Sequence, residues 1–197
     1  MSQAPGVRRT DRLMSDARAR AFLAAGFCGR LGTTGPDGWP YVVPLLYVWM
    51  DGEIHVHNAG SRGDGGHAPG SHLGRNVAHD ARVCFEVDEA GPAFPYGRFE
   101  CDTALAYASV IAFGTVRVVE DRDVKARFFA LLMSKYADAS WDRPKEFFPR
   151  LDAVTVYAIT VERLTGKETV LPGVAERWPA VDRTRSPGAL PPADPRT

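Results

Sequence analysis

Residues 29–59 read "GRLGTTGPDGWPYVVPLLYVWMDGEIHVHNA", and the fold turns on how this stretch is parsed. Apolar, β-branched and aromatic runs alternate with turn residues. "FCGRLGTT" and "YVVPLLYVW" flank "GPDGWP", whose Pro-Asp-Gly predicts a hairpin turn. "MDG" predicts a second turn, leading into "EIHVHN". Side chains alternate along a strand, so Ile54 and Val56 share one face while His55 and His57 share the other. Pro44 stands inside the strongest of these runs, where it can donate no ladder hydrogen bond. That marks an edge, a bulge or a break in pairing.

The pattern continues on both sides. Ser15 is placed to cap a helix over residues 15–25, which Gly26 ends. After the Gly-rich loop "AGSRGDGGHAPG" come a short helix, "SHLGRNVAHD", and the strand "RVCFEVD". "EAGPAFPYG" is expected to be a loop broken by Pro and Gly, followed by a long strand region containing "ASVIAFGTVRVVED". Val124, Phe128, Leu131, Leu132 and Tyr136 recur at helical spacing over residues 123–136, and "VTVYAITVERL" is the last strand. Six strands at short spacing, without βαβ alternation, predict a mainly β fold: an antiparallel sheet or small barrel with helices at its edges. Neither a G-x-G-x-x-G fingerprint nor a G-x-x-x-x-G-K-[ST] loop is present.

The 197 residues suffice for one domain with a proper core. Lys plus Arg and Asp plus Glu number 24 each, giving zero net charge, and no basic arm stands out. Nucleic-acid and membrane-surface roles are therefore not expected. No apolar run reaches the length of a signal peptide or a membrane span. Three scattered cysteines suit a reducing compartment, so a cytoplasmic protein is expected.

Three features could carry chemistry. The His55/His57 pair could serve a ligand, a proton transfer or a metal, or could be the solvated face of a half-buried strand. No C-x-x-C or H-E-x-x-H accompanies it, and no metal site is assigned. The break at Pro44 would free backbone groups to meet a flat heteroaromatic, or would simply mark an edge strand. The segment from Ala59 to Asn76 holds glycines that allow close backbone approach, with Ser61, Arg62, Ser71, His72 and Arg75 as donors to oxyanions. A helix opening near Ser71 would add its N–H groups as an anion site, with His57 beside it at the strand end. The alternative is a flexible surface loop. Cys84 reads as a small core residue, Asp88–Glu89 and Glu100–Asp102 as solvated turns, and the stripe on residues 124–136 as packing surface.

Taken in order, "GRLGTTGPDGWPYVVPLLYVWMDGEIHVHNA", "NVAHDARVCFEVDE", "YASVIAFGTVRVVED" and "VYAITVERLTGKE" resemble the flavin-binding split-barrel family related to pyridoxamine 5'-phosphate oxidase, nearest its nitroimidazole-resistance branch. The resemblance implies a six-stranded antiparallel Greek-key split barrel with peripheral helices over residues 13–170. A flexible arm (1–12) would precede it and a Pro-rich, partly disordered tail (171–197) would follow. It also implies a homodimer with FMN at the subunit interface. Val43, Pro44, Leu45 and Leu46 would run along the flavin ring by their backbone. His57 would be tied to the chemistry, with Asn58 next to it. Ser71, His72 and Leu73 would open the phosphate-binding segment. Many relatives carry Lys or Arg at the position of His72 or Leu73; here either Arg62 or Arg75 would supply the cation, with Ser61 nearby, or FMN would bind more weakly. Ser109 and Val110 would approach the flavin from the partner. The activity implied is an FMN-dependent oxidoreductase of small aromatic molecules, nitroreductase-like. Non-catalytic flavin, deazaflavin or haem binding is the alternative. "YVVPLLYVW" lacks the basic residues that vitamin-B6 oxidases carry there, which argues against that reaction.

Overall fold

The computed structural model describes residues 7–59, 71–97 and 99–177. Its elements in chain order are α1 (Asp16–Ala25), β1 (Gly29–Thr34), β2 (Pro40–Leu45), β3 (Tyr47–Met50), β4 (Glu53–Ala59), α2 (His72–His79), β5 (Arg82–Pro95), β6 (Thr103–Val119), α3 (Arg122–Tyr136), β7 (Val154–Thr169) and α4 (Val174–Arg177). The strands form one sheet in the order β2-β1-β5-β6-β7-β4-β3.

Both predicted hairpins form, and each has a backbone reason. Between β1 and β2, Gly38 sits at φ 78° and its N–H donates to the Gly35 carbonyl at 2.9 Å. Between β3 and β4 the whole turn is Asp51-Gly52 at φ 56° and 80°, the left-handed pair a tight two-residue hairpin needs. It fixes the register at Met50 opposite Glu53 and His55 opposite Val48.

The run "YVVPLLYVW", expected as one strand, is two. β2 pairs with β1, β3 pairs with β4, and the break falls at Leu46 rather than at Pro44. Pro44 stays in register opposite Arg30. It is tolerated because β2 is an end strand of the sheet, with no further strand among the described residues needing the missing N–H. Since β2 and β3 occupy opposite ends of the sheet order and are joined by one residue, the sheet returns on itself there. Counting β2–β3 as one path recovers the six strands of the expected split barrel, in a mainly β fold with peripheral helices.

A second difference lies in β5, which runs on through "EAGPAFP" instead of ending before it. Gly91 eases this: a Cβ there would come within 3.1 Å of the Ala106 carbonyl and 3.3 Å of its Cβ, a close strand approach that a side chain would crowd.

The described residues divide into two compact units, those within 7–20, 88–110 and 165–177 in one, and those within 21–87 and 111–164 in the other. In the first, the Met14 N–H donates to the Gly166 carbonyl at 2.9 Å and Arg18 pairs with Glu168 at 3.2 Å. Of the expected N-terminal arm, Thr10–Arg12 form a 3-10 turn; of the expected tail, only residues up to 177 are described. The second unit has its core where Val48, Met50, Val156 and Ala158 meet Phe128 and Leu132 of α3. Asp121 caps α3, its carboxylate accepting from the N–H groups of Asp123 and Val124. The expected apolar stripe is displaced slightly: Leu131 is 39% exposed and Lys125 is buried instead, its ammonium donating to the Val154 carbonyl at 3.4 Å.

Candidate functional site

β4 carries both candidate side-chain types, on opposite faces. Ile54 and Val56 are fully buried on one side, and Asn58 follows them at the strand end. Its amide donates to the Ser71 hydroxyl at 3.1 Å, while Asn58 Oδ1 is buried without a partner. Ser71 caps α2: its Oγ accepts from the Gly74 N–H at 2.9 Å, so the helix opens beside the end of β4 as expected. Tyr157, opposite Val56 on β7, completes the group. Burial raises its phenol pKa, and hydrogen bonds with Asn58 and Ser71 oppose the rise.

α2 is also tied to β1 and β2. Buried Asn76 donates to Thr33 Oγ1 at 3.0 Å. His72 is exposed and stacks on the Tyr41 ring, centroids 4.1 Å apart and planes 15° from parallel. Leu73 is buried, so only its backbone faces the opening of the helix; Arg75 lies exposed on the next turn. Along β2, Val43 and Leu45 are half-buried and Pro44 is exposed, with Leu46 exposed beyond them. Ser61 and Arg62 lie outside the described residues. On β6, Val110 is fully buried and Ser109 half-buried.

His55 and His57 do share a face, but α3 covers it, fully at His55 and partly at His57. His55 is 2% exposed. The His57 ring stands edge-on to Phe128 and Phe129, with centroids at 5.7 and 5.3 Å. Nδ1 of each imidazole is buried without a partner. Burial holds both pKa values below the ordinary histidine value; for His55 it outweighs the raising effects of Glu53. The structure therefore gathers Asn58, Ser71, His72, Tyr41 and Tyr157 around the start of α2, and turns His57 to the other side of β4. Tyr41, Tyr157 and Phe129 were not singled out from sequence. Only the alternation of β2 and β7 hinted at the tyrosines, and nothing local ties Phe129 to His57. Cys84 is half-buried and burial pushes its thiol pKa up, away from nucleophilic thiolate chemistry.

An antiparallel barrel closed through one residue, with a capped helix set against the end of β4, defines a split-barrel protein. More narrowly, residues 15–168 match the family described as pyridoxamine 5'-phosphate oxidase, and this chain belongs to that family. Solved structures share the fold at low identity. One is a candidate 5-nitroimidazole antibiotic resistance protein from Bacteroides thetaiotaomicron, 18% identical, covering 79% of this chain and 85% of that chain at TM-score 0.61. Another is the flavocytochrome Anf3 from Azotobacter vinelandii, 18% identical, 93% and 84% covered, TM-score 0.65. A third is a FAD- and haem-binding protein from Mycobacterium smegmatis, 18% identical, 84% and 78% covered, TM-score 0.63. No curated protein matches the chain. Among the described residues no helix is long and apolar enough to cross a membrane.

Proposed function

We propose that this chain is a flavin-binding oxidoreductase that acts as a homodimer, takes FMN, and reduces small aromatic electrophiles such as nitro compounds. The observation that carries the reading is the pairing of an end strand with a capped helix. Among the described residues no strand pairs with the outer side of β2, so its backbone groups are available to the hydrogen-bonding edge of a planar ring between Val43 and Leu45. The first turn of α2 offers N–H groups to a phosphate, and the unpartnered Asn58 Oδ1 beside it is a polar atom in want of a donor. These residues fit a flavin monophosphate. Arg75 is the described cation best placed along the helix to assist; Arg62 is the other candidate. Ser109, half-buried on β6, would belong to the wall supplied by a second copy, whereas Val110 is fully buried in its own chain and packs the core instead.

The flavin would supply two-electron redox chemistry that no side chain here can store. His57 lies on the other side of β4 from Asn58 and the start of α2, against Phe128 and Phe129, so it would move a proton from behind the strand rather than by touching the ring. Held neutral by burial, it keeps one ring nitrogen protonated and the other free to accept, which suits a relay near neutral pH. Membership of the family and flavoproteins of the same fold support this reading.

The test is a visible spectrum of the purified protein with and without added FMN. Flavin absorbance that stays with the protein on gel filtration is expected, and a colourless protein that takes up none would overturn the proposal. His57→Ala should retain flavin and lose turnover with a nitroaromatic; unchanged turnover would remove His57 from the mechanism. A second reading, a carrier of haem without turnover, is favoured by the two buried imidazoles with unpartnered Nδ1 atoms. A Soret band on haem addition, abolished in His57→Ala, would select it.

A further inference from the structure

Between α3 and β7, residues 141–151 fold back toward Phe129 and line an open cavity of about 520 Å³. This is within the size range of small-molecule sites, roughly 300–1,000 Å³. Phe129, Phe147, Phe148 and Leu151 form its apolar walls, and Arg143 and Arg150 supply two guanidinium groups. Phe148 tilts against Phe129 with centroids 5.7 Å apart, and Leu151 is buried beneath them. The cavity lies within one compact unit, on the α3 side of β4, away from the face that carries Asn58.

Two features mark it as unfinished without a ligand. The first is charge. Asp138 accepts from the Ser140 N–H and hydroxyl at 2.8 and 2.7 Å, and Asp152 is held by Arg122 at 2.6 Å. Among the described residues no carboxylate pairs with Arg143 or Arg150; Arg143 instead lies over the Trp141 ring, 5.1 Å from its centroid. The second is apolar surface. Phe147 is 64% exposed at the cavity, and it is held there by Glu146, a non-glycine residue at φ 53°. Left-handed backbone at such a residue is strained, and that strain is common in ligand clamps.

We infer that this cavity binds an aromatic carboxylic acid, its ring against Phe147 and Phe148 and its carboxylate on Arg143 and Arg150. Arginine suits a planar carboxylate because its fork donates two parallel hydrogen bonds. The local charge balance favours a monoanion over a polyphosphate: Asp142, Glu146 and Asp152 accompany Arg143, Lys145 and Arg150 in the same segment, all exposed. Phe129 also touches the His57 ring, so an occupant would sit one aromatic ring away from that imidazole. The site does not depend on a flavin.

The test titrates the full chain with 2-naphthoate and with its uncharged counterpart 2-naphthamide, by calorimetry. The acid should bind at least about tenfold more tightly than the amide, the usual scale for a charge-assisted hydrogen bond. Arg143→Gln/Arg150→Gln should abolish that preference, and Phe147→Ala should weaken both compounds. All three positions are exposed, and melting temperatures equal to the parent protein would show that the variants fold. Equal affinity for acid and amide, or no binding of 2-naphthoate, would overturn the inference. So would parental affinity in the double arginine variant, since it would place the acid elsewhere. None of these outcomes bears on FMN uptake, which is read separately from the visible spectrum.

Discussion

Acidification from pH 7 to pH 5.5 should weaken this fold, with His55 and His57 carrying the loss. In the folded chain burial keeps both imidazoles neutral, below their ordinary pKa. In the unfolded chain each takes up a proton near pH 6.5. Protons therefore favour the unfolded chain: the stability is fully present above pH 6.5 and falls as the pH drops toward the folded-state values. One proton of difference is worth about 1.4 kcal/mol per pH unit, so the ceiling for two is roughly 2.7 kcal/mol per unit. Averaged over the unit below pH 6.5, where the unfolded imidazoles are only partly protonated, about 2 kcal/mol is the upper figure. His55, 2% exposed, should contribute more than His57, which water partly reaches and screens. Against a total stability of about 5–15 kcal/mol, such a loss is easily measured. Carboxylates do not blur this window: Glu53, held at about 2 chiefly by its hydrogen bonds with Arg117, loses its contribution only as the pH falls below its usual value near 4.5. Urea unfolding followed by tryptophan fluorescence at pH 7.5, 6.5 and 5.5, at constant ionic strength, is the assay. His55→Leu should remove most of the slope and His55→Leu/His57→Leu nearly all of it. A flat profile in the parent protein, or an unchanged slope in the double variant, would refute the argument.

Three further outcomes are expected. Ser71→Ala removes the α2 cap and the oxygen that Asn58 bonds, so it should cost about 1 kcal/mol in urea unfolding and lower FMN affinity; a neutral effect on both would separate Ser71 from the proposed site. Gly114→Ala should cost about 3 kcal/mol or more, seen as loss of soluble protein or a sharply lower Tm, because the new Cβ would lie 2.0 Å from the Thr160 backbone carbonyl oxygen. Lys135 is held down at about 8 by burial, its Nζ 4.1 Å from the Tyr47 ring centroid. Its side-chain carbon resonances should titrate near pH 8 by NMR, and a midpoint above 10 would contradict the burial.

Local chemistry explains what could be read in advance. Asp51-Gly52 and Pro36-Asp37-Gly38 are turn residues whatever surrounds them, so both hairpins and the alternation of His55 with Ile54 follow from neighbours in sequence. The split at Leu46 does not, because it arises from two pairings at opposite ends of the sheet, one with β1 and one with β4. Pro92 and Gly91 look like loop residues until a close strand, with Ala106 on it, favours a residue without a Cβ. The same limit applies to the site. Ser71 announces a cap by its type and position, whereas the cover that Phe128 and Phe129 lay over the histidines depends on where a distant helix docks. That helix also exposes Leu131 and buries Lys125, a rotation its apolar spacing does not specify.

Leu46 couples the two ends of the sheet like the pin of a clasp. Because side chains alternate with a period of two, inserting or deleting one residue there would leave one end of the clasp in phase and turn every side chain of the other inside out. Val48 and Met50, at 5% and 4% exposure, would then trade places with Trp49. Length changes in the descendants of this chain should therefore accumulate in its surface loops, and the count of residues from Tyr41 to Met50 should hold constant even where their identities drift.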